Sequence, residues 1–179
     1  MSIDEIFSQL SAHLVGGLMV HDQLCNYFKF LSLSGYAIEQ EEQYESESRT
    51  YRRVNSFYIY RYNKLINESG VENPKVIPSD WYRYSRFDVD KSTKRNAIEK
   101  GFTEWKKWET ATKSKYEVFY KELYDLNEIV SAEMVKELII DVDDELKRID
   151  DRLLELKSVD YDLTYIQEQQ CDLFVKHIT

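Results

Sequence analysis

A histidine and four carboxylates stand at or beside apolar positions of this chain, where charged side chains are rare. They are His21, Glu47, Glu109, Asp141 and Glu145. Imidazole nitrogens and carboxylate oxygens are ligands of iron and manganese, and helical bundles hold pairs of such ions between facing side chains. The same residues could instead form a buried polar network, with a protonated His21 beside Glu47, or reach water from the edge of the core.

In the first half of the chain, helical spacing predicts that the histidine meets a glutamate. His21 continues the apolar stripe of the first helix, and Gly17, one turn earlier, leaves space beside it. A hairpin that turns near Ser34 places His21 and Glu47 at similar distances from the turn, so we expect them to face each other.

The second half of the chain adds carboxylates at the same height. A turn near Asn127 places Glu109 opposite Glu145, with Asp141 one helical turn before it. Four helices therefore present one imidazole and three or four carboxylates together. Because unpaired charges are costly in a core, this layer is either a metal site or a paired polar network.

Long helices must position these residues. The chain has only five Gly and two Pro in 179 residues, so few positions interrupt a helix. Apolar periodicity predicts helices over about 3–33, 36–67, 92–126, 128–157 and 162–177, with a loop over 70–90. We predict one all-α domain, residues 1–179: a four-helix bundle of two antiparallel hairpins, a long crossover loop and a short C-terminal helix. About 20 loop residues can reach roughly 65 Å, more than the length of a 30-residue helix (about 45 Å), so the loop can cross the whole bundle, although it could also fold locally.

The composition excludes several classes of function. A net charge of −9 repels nucleic-acid phosphates, so we expect no direct nucleic-acid binding and a basic protein as the partner. The acidic start predicts no signal peptide, and no apolar run reaches the roughly 18 residues of a membrane span. We expect a cytoplasmic protein without membrane contact. The sequence is also compatible with a homo-oligomer. No catalytic triad or Gly-rich phosphate loop is present as a local motif, so we expect no enzyme activity.

Two surfaces could dock a protein partner. Aromatic and basic side chains alternate in the loop, at Trp81, Tyr82, Arg83, Tyr84 and Arg86. Such residue types dominate interface hot spots, but they could equally pin the loop to the bundle. The acidic run around Asp143 and Asp144 could mimic phosphates for a basic partner, or could be a solvated helix face.

The first hairpin carries the pattern Asn26-Tyr27-Phe28, Gly35-Tyr36, Glu42-Gln43 and Glu47. It resembles the first hairpin of ferritin-like proteins, especially the starvation-induced mini-ferritins. The resemblance implies a helical bundle, histidines at or near Phe28 and at Glu42 or Gln43, and a carboxylate near Glu47. Of these ligands the sequence has the carboxylate alone, and it lacks the Glu-x-x-His pair of ferritin-like di-metal sites.

A second resemblance involves four segments spread over the chain. They are Leu10-Ser11-Ala12-His13, Asn63-Lys64-Leu65-Ile66, Glu72-Asn73-Pro74 with Ile77-Pro78, and Asp141-Val142-Asp143-Asp144-Glu145-Leu146. They resemble small uncharacterised proteins of Firmicutes prophages. This resemblance implies an accessory role for a mobile element, such as that of an anti-CRISPR inhibitor.

Two hypotheses follow from the sequence. The leading one is a non-enzymatic, cofactor-free helical bundle that inhibits a nucleic-acid-handling or defence protein of the host by covering its surface. The alternative is a ferritin-like protein that binds iron or manganese at a degenerate di-metal site, with ferroxidase-type activity. Elemental analysis of protein purified without chelators separates them.

Overall fold

A computed structural model describes residues 1–68, 70–77, 79, 81–85 and 89–178, with side chains described up to residue 173. Arg86 and Pro78 lie outside the described residues. The helices are α1 (Ile3–Phe30), α2 (Ser34–Tyr62), α3 (Lys91–Asp125), α4 (Ile129–Ser158) and α5 (Leu163–Ile178), with a short 3-10 helix over Trp81–Arg83. The described residues contain no strand, and none of their helices is both long and apolar enough to span a membrane.

Local hydrogen bonds start two of the helices. The hydroxyl of Ser2 accepts the Glu5 N–H, and the Glu5 carboxylate accepts the Ser2 N–H (2.7 Å), which is a capping box for α1. The Asp90 carboxylate accepts the Thr93 N–H (2.7 Å) at the start of α3. These bonds satisfy backbone N–H groups that have no partner within the helix.

The first two helices differ from their predicted ranges. The chain turns at Ser32 (φ 60°), so α1 ends at Phe30 rather than at 33, and α2 begins at Ser34. Gly35 lies inside α2 and does not form the turn. The second helix ends at Tyr62, five residues before the predicted end at 67, because Asn63 adopts a left-handed conformation (φ 58°) and caps it.

The four long helices form two antiparallel hairpins that pack side by side. At one end of the bundle, the Tyr27 hydroxyl donates to the Ala97 carbonyl (3.1 Å), which joins the end of α1 to the start of α3. At the other end, the N-terminal amine pairs with Glu122 of α3 (2.6 Å). Ion pairs join α2 to α4, for example Arg61–Glu128 (2.8 Å), and α5 packs on α2.

The segment between α2 and α3 crosses the whole length of the bundle along α1. It begins beside the start of α1, where the Ser8 hydroxyl donates to the Asn67 carbonyl (2.5 Å). Further along, Gln23 donates to the Pro74 carbonyl (2.7 Å). It finishes where Trp81 packs against Tyr27 at the far end. The structure therefore confirms the predicted four-helix bundle with a long crossover loop and a short C-terminal helix.

The core consists of two apolar clusters with a polar layer between them. One cluster surrounds Phe28 and Phe102, and the other surrounds Phe7 and Tyr58. Along α1 the clusters are separated by a stretch that contains two glycines, and the fully buried His21 follows directly after Val20, where the next cluster begins. The polar layer lies near the middle of all four long helices.

Candidate metal centre

His21 places an imidazole nitrogen in this polar layer. The side chain is 0% exposed, and its Nδ1 contacts Gln40 Oε1 on α2 (3.0 Å). Because an amide oxygen only accepts hydrogen bonds, Nδ1 carries the proton and Nε2 presents a lone pair. Burial lowers the pKa of His21 to about 4, so the ring is neutral at pH 7 and not protonated as in the polar-network interpretation.

Glu109 of α3 faces that lone pair. Its Oε1 lies 3.6 Å from His21 Nε2, and both residues are fully buried. Among the described residues, no hydrogen bond of normal geometry reaches either carboxylate oxygen or His21 Nε2. The indole N–H of Trp105, which is also without such a bond, is close enough to lower the pKa of Glu109 in part. Burial, followed by the negative charges of Glu145 and Glu47, raises the pKa of Glu109 well above its usual value.

Two further carboxylates complete the layer. Glu145 of α4, His21 and Glu109 each offer one ligand atom, and these three atoms lie within 4.8 Å of one another. Burial raises the pKa of Glu145 to about 7. Burial, and then the charge of Glu145, raise the pKa of Glu47 to about 8, although Glu47 is only half-buried as a residue.

Gly17 makes room for the carboxylate of Glu47. A Cβ atom at Gly17 would lie 3.3 Å from Glu47 Cδ, closer than most Cβ contacts. The Glu47 Oε2 atom is buried and has no hydrogen-bond partner among the described residues. The glycine that the sequence places next to His21 thus serves the glutamate of the neighbouring helix.

A divalent cation fits this set of donors. Buried polar atoms without partners are rare in folded proteins, yet His21 Nε2, both oxygens of Glu109 and Glu47 Oε2 are all in this state here. A neutral imidazole nitrogen and ionised carboxylates are ligand types that iron and manganese accept. Bound charge would also offset the repulsion that raises the carboxylate pKa values.

A cleft of about 470 Å³ between α2 and α4 leads to the carboxylate side of the layer. Glu47, Glu145, Tyr116 and Arg148 are among the residues that line it. Arg148 Nη2 lies 3.5 Å from Glu145 Oε1. In the amide orientation that satisfies both of its ends, Gln43 donates to Glu145 Oε1 (2.7 Å) and accepts from Arg148.

The structure corrects the predicted contact between His21 and Glu47. The neighbours of the His21 ring nitrogens are Gln40 and Glu109, whereas Glu47 packs at Gly17, one turn earlier on α1. The hairpin turns at Ser32, two residues before the predicted centre. A turn centred two residues earlier pairs position 21 with position 43 instead of position 47, a difference of about one helical turn.

Asp141 is not part of the central group. Its side chain is 68% exposed at the wall of the cleft, where it lies 3.7 Å from Arg53 of α2. By contrast, Glu109 and Glu145 do meet across the second hairpin, whose turn is at Asn127 (φ 60°). The role of these carboxylates as ligands remains a prediction.

Gln40 and Arg148 are site residues that the sequence did not single out, and Gln43 was named only for the ferritin-like pattern. Gln40 precedes Glu47 by seven residues, so heptad spacing places it on the same face of α2. Arg148 follows Glu145 by three residues and is therefore its neighbour on α4. Both spacings are visible in the sequence, but a glutamine and an arginine are common on charge-rich helices and do not by themselves indicate a site.

In the predicted loop surface, one aromatic residue packs on the bundle and its neighbours are exposed. Trp81 packs against Tyr27 (ring centroids 5.4 Å apart) and Phe30 (6.1 Å), so it holds the crossover loop on the bundle. The neighbouring Tyr82, Arg83 and Tyr84 are exposed.

On α4, Asp143 pairs with Lys113 of α3 (2.6 Å), so part of the acidic face is neutralised. Asp144 lines the α2–α4 cleft instead. Partner binding at either surface remains a prediction.

Comparison with known proteins identifies the fold. No protein-family model matches the chain, and no curated protein matches its sequence. A humanized archaeal ferritin matches in structure with a TM-score of 0.79 and 11% identity, over 97% of this chain and 96% of that chain. An iron-soaked variant of PmFTN matches with a TM-score of 0.75 and 11% identity, over 94% of this chain and 96% of that chain. A second iron-soaked PmFTN variant matches with a TM-score of 0.76 and 10% identity, over 96% of this chain and 99% of that chain. The chain therefore has a ferritin-like helical fold.

Proposed function

We propose that this protein binds one iron or manganese ion between His21, Glu109 and Glu145, with Glu47 as a further carboxylate beside them. The observation that carries the proposal is the convergence of the ligand atoms of His21, Glu109 and Glu145, of which those of His21 and Glu109 are fully buried and have no hydrogen-bond partner among the described residues. The ferritin-like fold supports it, since two of the similar structures were soaked in iron.

The number of ligands favours one ion over two. Ferritin-like di-metal sites carry a Glu-x-x-His pair, and this sequence has none. One buried imidazole and three carboxylates match the needs of a single ion with an open position. A divalent ion would offset two of the three negative charges of the ionised glutamates.

Each residue of the layer has a distinct task in this proposal. Gln40 fixes the tautomer of His21, so that Nε2 is the nitrogen available for a bond. Glu109 and Glu145 supply negative charge from the two helices of the second hairpin, and apolar clusters lie on both sides of the layer along the bundle. A bound iron ion would supply one-electron redox chemistry, which makes a ferroxidase-type activity part of the proposal.

The proposal favours the metal-binding hypothesis over the inhibitor hypothesis. Neither the structure nor the comparisons add support for a phage or anti-CRISPR role. Docking at the exposed loop around Tyr82 would not need the buried glutamates, whose desolvation is costly without a cation. A proposed function therefore has to account for the buried glutamates.

Elemental analysis tests the proposal. Protein purified without chelators should contain close to one equivalent of iron or manganese, and Glu109→Gln should reduce this content at least about tenfold because it removes a buried negative ligand. Glu117→Gln is the matched control, since Glu117 is an exposed glutamate of the same helix. A metal-free natural protein that also fails to take up added Fe²⁺ or Mn²⁺ would refute the proposal.

A further inference from the structure

Arg148 is a cation that already occupies one side of the candidate metal centre. Its Nη2 lies 3.5 Å from Glu145 Oε1. The guanidinium also donates to the side-chain amide oxygen of Gln43, in the amide orientation given above. Its guanidinium also lies over the ring of Trp105, 5.8 Å from the centroid. The ring of Trp105 in turn packs edge-on against His21, with the centroids 6.1 Å apart.

Arg148 and a metal ion would compete for the same carboxylate. Glu145 is one of the three residues whose ligand atoms converge, and it is the one that Arg148 contacts. Two cations that share one carboxylate repel each other, and the repulsion is stronger beside a buried layer than in water. Binding of a divalent ion is thus easiest when the guanidinium has left Glu145.

The surroundings of Arg148 allow this movement. Its side chain is 49% exposed, and it lines the open cleft between α2 and α4. A long arginine side chain can therefore turn into the cleft without disturbing the core. Gln43 can keep its hydrogen bond to Glu145 during the change, because that bond does not involve Arg148.

We propose that Arg148 is a latch, bound to Glu145 in the metal-free protein and displaced into the α2–α4 cleft when a divalent cation binds. The latch lowers the affinity for the cation, and it balances the charge of Glu145 when no cation is present. This inference rests on the proposed metal binding and assigns Arg148 a positioning role within that site.

Titration with Mn²⁺, followed by the electron paramagnetic resonance signal of the free ion, tests the latch. Arg148→Gln should bind Mn²⁺ about tenfold more tightly than the natural protein, because a positive charge next to the ligand is lost. Arg152→Gln is the control. Arg152 lies one turn further along the same helix and is placed over Tyr36 in the same way (5.6 Å), so it should leave the affinity within about twofold.

The outcomes separate this inference from the proposed function. Equal or weaker Mn²⁺ binding by a folded Arg148→Gln protein would overturn the latch while leaving metal binding intact. Binding by the variant alone would refute both, because Arg148 would then block the cation and never be displaced by it, and no binding by either protein would also refute both. If Arg148→Gln does not fold, Arg148→Met keeps a long side chain against Trp105 and gives the same comparison.

Discussion

At the level of single residues, the candidate metal centre stores unfavourable electrostatic energy when no cation is bound. Glu47, Glu109 and Glu145 all have pKa values raised above the ordinary value of 4.5, with burial as the largest cause. Such groups hold protons that an unfolded chain would release, so they make the folded state less stable as the pH rises. A bound divalent ion reverses this preference because it favours the ionised form.

A pH series on chelated protein measures this energy. Raised carboxyl pKa values contribute stability that is complete below about pH 4.5 and is lost as the pH passes the folded values, about 7 for Glu145 and about 8 for Glu47. The pKa of His21 is lowered to about 4, so its own contribution no longer changes above about pH 6.5. We therefore expect the free energy of unfolding in urea to fall between pH 6.5 and 8.

Replacing one of the buried glutamates should reduce that pH dependence. Glu47→Gln removes the charge and should stabilise the chelated protein at pH 8 by on the order of 1–2 kcal/mol, with a flatter pH profile. Glu45→Gln, at an exposed position of the same helix, should leave the profile unchanged. A stability that rises from pH 6.5 to 8, or an identical slope in Glu47→Gln, would contradict the assignment of buried protonated carboxyls.

At the level of helices, the position of the turns decided how much of the site could be predicted. The second hairpin was aligned correctly because Asn127, a residue that tolerates left-handed backbone, is where the chain turns. The first hairpin was aligned one helical turn away from the observed register, because the chain turns at Ser32 and not near Ser34 as predicted. A serine with positive φ has no clear signature in a sequence, whereas glycine does.

Gly35 instead allows α5 to lie close to the start of α2. A Cβ atom there would lie 3.0 Å from Leu173 Cβ and 3.1 Å from the Gln170 backbone. The Tyr36 N–H also donates to Gln170 Oε1 (3.1 Å), so α5 is held at this point by both packing and a hydrogen bond. Only a residue without a side chain allows both contacts.

A substitution at this contact should loosen the C-terminal helix. Gly35→Ala forces the two helices apart and should lower the free energy of unfolding by about 1–3 kcal/mol, with faster amide exchange in α5. Ser34→Ala, an exposed neighbour in the same turn, serves as the control. Unchanged exchange in α5 would show that the approach at Gly35 is not required.

At the level of the whole molecule, the architecture was easier to predict than the site. Few Gly and Pro residues, heptad periodicity and one long loop were enough to specify two antiparallel hairpins, and the length of the loop permitted a crossover without requiring it. The path of the loop depends on individual contacts, such as Ser8 with Asn67 and Gln23 with Pro74, which spacing does not reveal. The ligand geometry depends on turn register to within one residue, and composition does not determine it.

The placement of the candidate ligands on different helices gives a prediction for the entire bundle. The ligand atoms of His21, Glu109 and Glu145, on α1, α3 and α4, converge. With Glu47 of α2 as the further ligand of the proposed site, one ion would join all four long helices. Free energy of binding is then free energy of folding, which amounts to about 2.7 kcal/mol when the ion is present at 100 times its dissociation constant. The C-terminal helix packs on α2 and supplies none of these residues.

Hydrogen exchange with and without Mn²⁺ measures this linkage. We expect the ion to slow amide exchange near the middle of α1, α2, α3 and α4 together and to raise the melting temperature, while exchange in α5, which supplies none of the ligands, changes little. The Glu109→Gln protein should show neither effect. Protection limited to one helix would place the ion on the surface of the protein, because a site shared by the four helices cannot stabilise one of them alone.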